Sequence, residues 1–105
     1  MRFGWDIAKA AANLAKHGVP FEDAADFNWE VSVDKPDRRR DYGETRVIAT
    51  STIRGRPHVL VYAVRSGSFR LISLRKANKR ESISYENAKK AKDANQVNLS
   101  HPGGK

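Results

Sequence analysis

An α+β fold is predicted, built from two N-terminal helices, an antiparallel meander of about four strands and a C-terminal helix. Three observations carry it: two helical stretches open the chain, three β runs with short Gly-centred connections follow, and a capped helical stretch comes after them. Helices followed by consecutive hairpins give an α+β order, not an alternating βαβ one. At 105 residues, 39% of them hydrophobic, the chain has material for one core and no second one.

The first residues read as an extended lead-in, because Phe3 and Trp5 alternate with Arg2 and Gly4. Asp6 stands where an N-cap belongs, three consecutive alanines from Ala10 favour helix, and Gly18 is placed to end it, so a helix is predicted over 7–17. Ile7, Ala10, Ala11 and Leu14 fall on one stripe, its expected buried side. Pro20, with Glu22 and Asp23 in the first turn, opens a short second helix whose inward residues are Phe21, Ala24, Ala25 and Phe27.

Trp29 to Asp34 alternates with period two and reads as the first strand, followed by an exposed loop from Pro36 to Gly43 that contains Arg38, Arg39 and Arg40. Strands are then predicted over 45–53, 58–64 and 69–75, joined at Arg54 to Pro57 and Arg65 to Ser68. Val59 to Val64 is apolar at both parities, as a strand covered on both faces should be, which makes it the central one. Asn78 and Glu81 resemble a capping box, with a helix continuing over 82–92 on thin contacts from Ile83, Ala88 and Ala91. One domain is expected over 1–94 and a flexible tail over 95–105.

Charge is unevenly spread. Residues 1–34 hold three basic and six acidic side chains, net −3, whereas residues 35–105 hold seventeen basic and six acidic, net +11. A basic body of this kind points to a polyanionic partner, nucleic acid above all. With no cysteine there is no disulfide, thiolate metal site or cysteine nucleophile. The N-terminus reads as neither signal peptide nor membrane span, so residence in the cytoplasm is expected and no membrane partner. Phosphate-cradling Gly loops, metal-binding His spacings and nucleophile elbows are all missing from the sequence, so no metal or cofactor is expected.

What remains is a set of arginines and lysines at element edges. Arg46 opens one strand, Arg65 closes the next, Arg70 and Arg75 lie on the last, and Lys76, Lys79 and Arg80 surround the start of the final helix. Hairpin connections bring such positions together into a patch for several phosphates, and the guanidinium fork suits that work. Strand alternation puts Phe69, Leu71, Ser73 and Arg75 on one face and Arg70, Ile72 and Leu74 on the other. Glu44 is either a general base or the ion-pair partner that orients an arginine. His17 is either a base or a helix cap.

The pattern Trp5-Asp6-x-x-Lys9-x-x-x-Asn13-x-x-Lys16-His17-Gly18-Val19-x-Phe21-Glu22-x-Ala24 closely resembles the opening signature of the BrnT-like toxins of bacterial type II toxin–antitoxin modules. Gly43-Glu44-x-Arg46, Val61-Tyr62-x-x-Arg65 and Arg70-x-Ile72-Ser73-x-Arg75-x-Ala77, then Glu81 and Tyr85, are similar to the same family in order and spacing. The chain departs from it at Leu74, where a small residue is usual, and over Ser82 to Ser84, which replaces a more basic stretch.

The resemblance implies a RelE-like ribonuclease that cleaves RNA without metal and inhibits translation. It also implies neutralisation by a cognate ribbon-helix-helix antitoxin, with operator DNA contacted only through that partner. Such an enzyme must take the 2′-hydroxyl proton, stabilise a phosphorane-like transition state and protonate the leaving 5′ oxygen. Arg65 and Arg75 are assigned to the transition state, Glu44 and His17 are the candidate bases, and Tyr85 or a lysine is the candidate proton donor. Lys9, Lys16, Arg46, Lys79 and Arg80 would grip flanking phosphates, with Tyr85 also at the RNA. The alternative is a non-enzymatic nucleic-acid-binding module, for which the same charge distribution suffices.

Overall fold

The computed structural model describes residues 2–100, with side chains described up to Lys92. Helix α1 spans Ile7–His17. Asp6 caps its start by accepting from the Lys9 N–H at 3.0 Å, and Gly18, at φ 71°, ends it with its own N–H on the Leu14 carbonyl at 2.8 Å. A left-handed residue at that point is what the glycine supplies.

The second expected helix is a six-residue 3-10 turn, Phe21–Asp26. Phe21, Ala24 and Phe27 are all buried while Ala25 is exposed. Their spacing of three matches the 3-10 repeat and not the 3.6 of an α-helix, which is the physical reason for the difference. The strand expected at Trp29 begins later, because the Asn28 side chain accepts from the Glu30 N–H at 3.2 Å and turns Trp29–Val31 into another 3-10 turn. Strand β1 is Val33–Pro36.

Strands β2 (Thr45–Ile53), β3 (Arg56–Arg65) and β4 (Ser68–Lys76) complete a four-stranded antiparallel sheet in the order β1-β2-β3-β4. Both hairpins close through two-residue turns, tighter than the four-residue connections expected: Arg54 and Gly55 have φ of 49° and 81°, Ser66 and Gly67 of 43° and 81°. Positive φ at both central positions gives the turn whose twist matches the flanking strands.

The core lies on one face of this sheet, where Phe21 and Phe27 meet Ala49, Leu60, Leu71 and Leu74. Phe3, Trp29, Tyr62 and Phe69 extend it as an aromatic cluster with ring centroids 5.6 to 6.4 Å apart. The free edge of β4 is closed twice. Gly4 donates to the Phe69 carbonyl and accepts from the Leu71 N–H, each at 2.9 Å. Farther along, the Asn13 amide donates to the Leu74 carbonyl at 2.7 Å and accepts from the Leu74 N–H at 3.2 Å. An edge covered in this way offers no template to another strand.

That contact fixes how α1 is rotated. Asn13 is its buried residue, and Ile7 and Leu14, expected inside, are 84% and 48% exposed.

A bulge in β4 overturns the expected strand parity. Val61 pairs with Ser73 and Tyr62 with Leu71, so Ile72 is an extra residue. Leu71 and Leu74 consequently both face the core, and Ser73 and Arg75 turn to the opposite face of the sheet.

Helix α2 spans Lys79–Ser100, starting earlier and running further than expected. The capping box at its start is formed, with the Glu81 N–H on Asn78 Oδ1 at 2.8 Å and the Asn78 N–H on Glu81 Oε1 at 2.9 Å. Its anchor is Tyr85, buried with its hydroxyl donating to the Val31 carbonyl at 3.0 Å, while Ile83 and Ala91, expected contacts, are exposed. The tail expected from residue 95 begins within this helix, and its end, His101 to Lys105, lies outside the described residues.

Candidate functional site

A cleft of about 480 Å³ opens between the second face of the sheet and the first turns of α2. Its floor follows the sheet register: Val33, Thr50, Val59 and Arg75 make one cross-strand row, and Lys35, Ile48, Val61 and Ser73 the next. Four cations line it, Lys35, Arg39, Arg75 and Arg80, together with the single carboxylate of Glu81.

Arg75 reaches this face because of the Ile72 bulge, and it meets Glu81 end on. Nη1 donates to Oε1 and Nη2 to Oε2, both at 2.7 Å. The guanidinium holds the Glu81 carboxyl down to about 2, and the carboxylate in turn raises Arg75. Arg39, read in the sequence only as part of an exposed charge run, lies on the rim of the same cleft. It is fixed by Asp37, whose buried carboxylate accepts from Arg39 Nε at 2.8 Å and Nη2 at 2.7 Å. These bonds hold the Asp37 carboxyl far below the usual carboxylate range. The Asp-x-Arg spacing at 37–39 is the one trace of this pair in the sequence.

His17, half-buried at the end of α1, has its pKa lowered below 6.5, first by burial and then by the charges of Lys16 and Arg75. It is therefore mostly neutral at pH 7 and sits within the field of Arg75. His58 is buried on the core side with Nδ1 on the Arg56 carbonyl at 2.7 Å, a structural placement.

Glu44, Arg46 and Arg65 form a separate cluster at the other end of the sheet face. Arg65 Nε donates to Glu44 Oε1 at 2.6 Å and Arg46 Nε to Oε2 at 3.1 Å, with the Arg46 guanidinium 4.0 Å from the centre of the Tyr42 ring. The two arginines, Arg65 foremost, lower the Glu44 carboxyl. Arg65 stands six positions along β3 from Val59, the residue opposite Arg75, which is about 20 Å of strand. The two arginines expected to share one phosphate are thus apart.

Of the expected phosphate contacts, Lys9 and Lys16 are exposed on α1, and Lys79 and Arg80 are exposed in the first turn of α2, Arg80 in the cleft wall. Tyr85, expected at the RNA, is instead 2% exposed with its hydroxyl occupied. Among the described residues of α2 it is the one buried side chain, packed on the sheet side, which accounts for this. Among the described residues no three His, Asp or Glu side chains converge as a metal site, and no helix is long and apolar enough to cross a membrane.

Comparison with curated proteins gives no match. A family model described as the ribonuclease toxin BrnT of type II toxin–antitoxin systems matches residues 5–81, from the lead-in before α1 to the carboxylate that holds Arg75, and the chain belongs to that family.

Proposed function

We propose that the protein is a metal-independent endoribonuclease whose reaction is centred on Arg75 and His17, and that it inhibits translation by cutting RNA. The observation that carries this is the cleft itself, lined by Lys35, Arg39, Arg75 and Arg80 against one carboxylate, with the Arg75 guanidinium fixed there by Glu81; His17, outside the cleft lining, is the base this reading assigns. His17 takes the proton of the 2′-hydroxyl, whose oxygen forms a bond to phosphorus as the P–O5′ bond breaks. Arg75 donates to the phosphorane oxygens, where charge develops. The leaving 5′ oxygen takes a proton from solvent or from Lys35, the lysine lining the cleft.

Glu44 fits the role of an orienting partner better than that of a base, because a carboxylate held by two arginines is a poor proton acceptor. Arg65 and Arg46 then serve a phosphate farther along the strand, with Lys9, Lys16, Lys79 and Arg80 at the periphery. Family membership implies an antitoxin. We assign it to the ribbon-helix-helix class, with operator DNA reached only through it and the cytoplasm as the place of action.

The test is cleavage of a defined RNA in EDTA by the purified chain. Scission is expected, with Arg75→Ala lowering the rate by about 10² to 10³-fold while the fold is retained. Salt-steep binding without scission would assign the chain to non-enzymatic nucleic-acid binding instead.

A further inference from the structure

On the ribonuclease reading above, we infer that Arg39 is a ligand for an internal phosphodiester of single-stranded RNA in the α2 cleft, and that the buried Asp37 is its positioning residue. Three observations lead there.

The first is an asymmetry of exposure. The Arg39 side chain is 67% exposed, yet the carboxylate that fixes it is wholly buried. A solubilising surface arginine needs no such counterpart, and surface pairs ordinarily hold their geometry weakly. Here the guanidinium makes two bonds to the Asp37 carboxylate, and Asp37 Oδ1 also accepts the Arg39 backbone N–H at 3.2 Å, which fixes the turn that carries the side chain. Asp37 is itself anchored by its N–H on the Arg46 carbonyl at 2.9 Å, which prolongs the β1–β2 ladder.

The second is which donors remain. The side-on fork to Asp37 uses Nε and Nη2 and not Nη1, with the Tyr42 hydroxyl also against this pair. Arg75 is bound end on through Nη1 and Nη2, and its Nε is not used in that pair. Two rigid guanidinium groups therefore present unspent donors to one cleft.

The third is uncompensated charge. Arg39 and Arg75 line the same cleft, near enough that the charge of Arg39 works against the raising of Arg75 by Glu81, and Lys35 and Arg80 share the lining with a single carboxylate. Like charges held together by separate carboxylates behind them are stabilised by an anion placed between them. A phosphodiester meets that need and the bidentate geometry of the fork.

The experiment uses the full chain and a 2′-O-methyl RNA oligonucleotide, which is not cut, with affinity read by fluorescence anisotropy across a salt series. Because Arg39→Gln would leave Asp37 as an unpaired buried carboxylate, the variants are Arg39→Lys, which keeps the charge, and the neutral pair Asp37→Asn with Arg39→Gln. The double variant is expected to weaken binding by roughly tenfold and to reduce the slope of log K against log salt by about 0.7, one phosphate contact on a single strand. Arg39→Lys should retain the slope and lose part of the affinity. Asp37→Asn alone, with Arg39 present but released, should weaken binding with the slope nearly kept, a change that a merely structural carboxylate would not produce in folded protein. Arg54→Gln, a charge loss outside the cleft, should leave the slope unchanged.

An unaltered slope and affinity in the double variant, with Arg75→Gln still weakening binding, overturns the inference and leaves the ribonuclease reading standing. Conversely, uncut natural RNA bound with the predicted loss at Arg39 overturns the ribonuclease reading and leaves the phosphate ligand assigned.

Discussion

Arg75 and Glu81 are joined by two parallel 2.7 Å bonds, and the same Glu81 carboxylate closes the capping box of α2 through the Asn78 N–H. One side chain thus ties the start of the helix to the arginine at the cleft. Glu81→Ala removes both functions and should destabilise the fold by about 1–2 kcal/mol, the cost of a lost cap together with a charged hydrogen bond. Glu81→Gln keeps a capping group at this position and should cost less.

The wild type and Glu81→Gln also separate by pH. Glu81 titrates at about 2 in the folded chain against an ordinary 4.5, so the folded-state value is depressed. A depressed acid stabilises fully above its unfolded pKa, and that contribution is lost as the pH falls through the folded one. The difference in urea midpoint between the wild type and Glu81→Gln should be constant from about pH 6 to 8, shrink below about pH 5 and be nearly gone at about pH 2. Asp37 and Glu44 shift in the same direction, but they are common to both proteins and drop out of the comparison.

His17 sets the expected pH profile of cleavage. Its pKa lies below 6.5 because of burial, Lys16 and Arg75, so a base at this position is already deprotonated at neutral pH. The rate should rise through an apparent pKa under 6.5 and then level off. His17→Ala should cost about 10² to 10⁴-fold and flatten the acid limb. Arg75→Gln takes away one of the charges that depress the imidazole, and the limb should move toward higher pH in what activity remains. A limb unmoved by either substitution would remove His17 from the reaction.

Asn13 links α1 to the sheet through bonds that no apolar residue replaces. Besides its two bonds with Leu74, its amide donates to the Val19 carbonyl at 3.1 Å. Asn13→Ala strands three buried backbone groups and should destabilise by about 2–4 kcal/mol, read by urea unfolding. Asn13→Asp should be at least as costly, since a carboxylate would face two carbonyl oxygens in place of the amide donor. Leu14→Lys, on the exposed neighbour, should stay within about 0.5 kcal/mol.

This contrast between Asn13 and Leu14 marks the limit of what the chain discloses about its own fold. Caps and turns were legible, because Asp6, Gly18, Asn78 with Glu81, and the Gly-centred hairpins act through local chemistry. The three long strands were legible from their apolar runs. The rotation of α1 was not, because an apolar stripe signals a buried side, while the need of the β4 edge for an amide is a tertiary fact. The parity of Arg75 was equally hidden: one unpaired residue at Ile72 reverses every side chain beyond it, and nothing in Arg70 to Arg75 announces a bulge. Arg39 was hidden in another way, as one of three arginines in a row, since the burial of its partner Asp37 is a tertiary fact.

Glu44 is where the two ends of the sheet face can be told apart by experiment. If a single centre joined Glu44, Arg65 and Arg75, replacing the carboxylate would remove the base and cost about 10² to 10⁴-fold in cleavage. The register instead sets Arg65 about 20 Å of strand from the row of Arg75, and both oxygens of Glu44 are taken by arginines. Glu44→Gln should therefore lower cleavage by less than about tenfold, because Arg75 and His17 are untouched. The loss should appear mainly in KM, since Arg46 and Arg65 keep their charge and lose only the partner that aims them. The pH profile should stay that of His17, and a profile whose acid limb disappears in Glu44→Gln would return the base to this cluster.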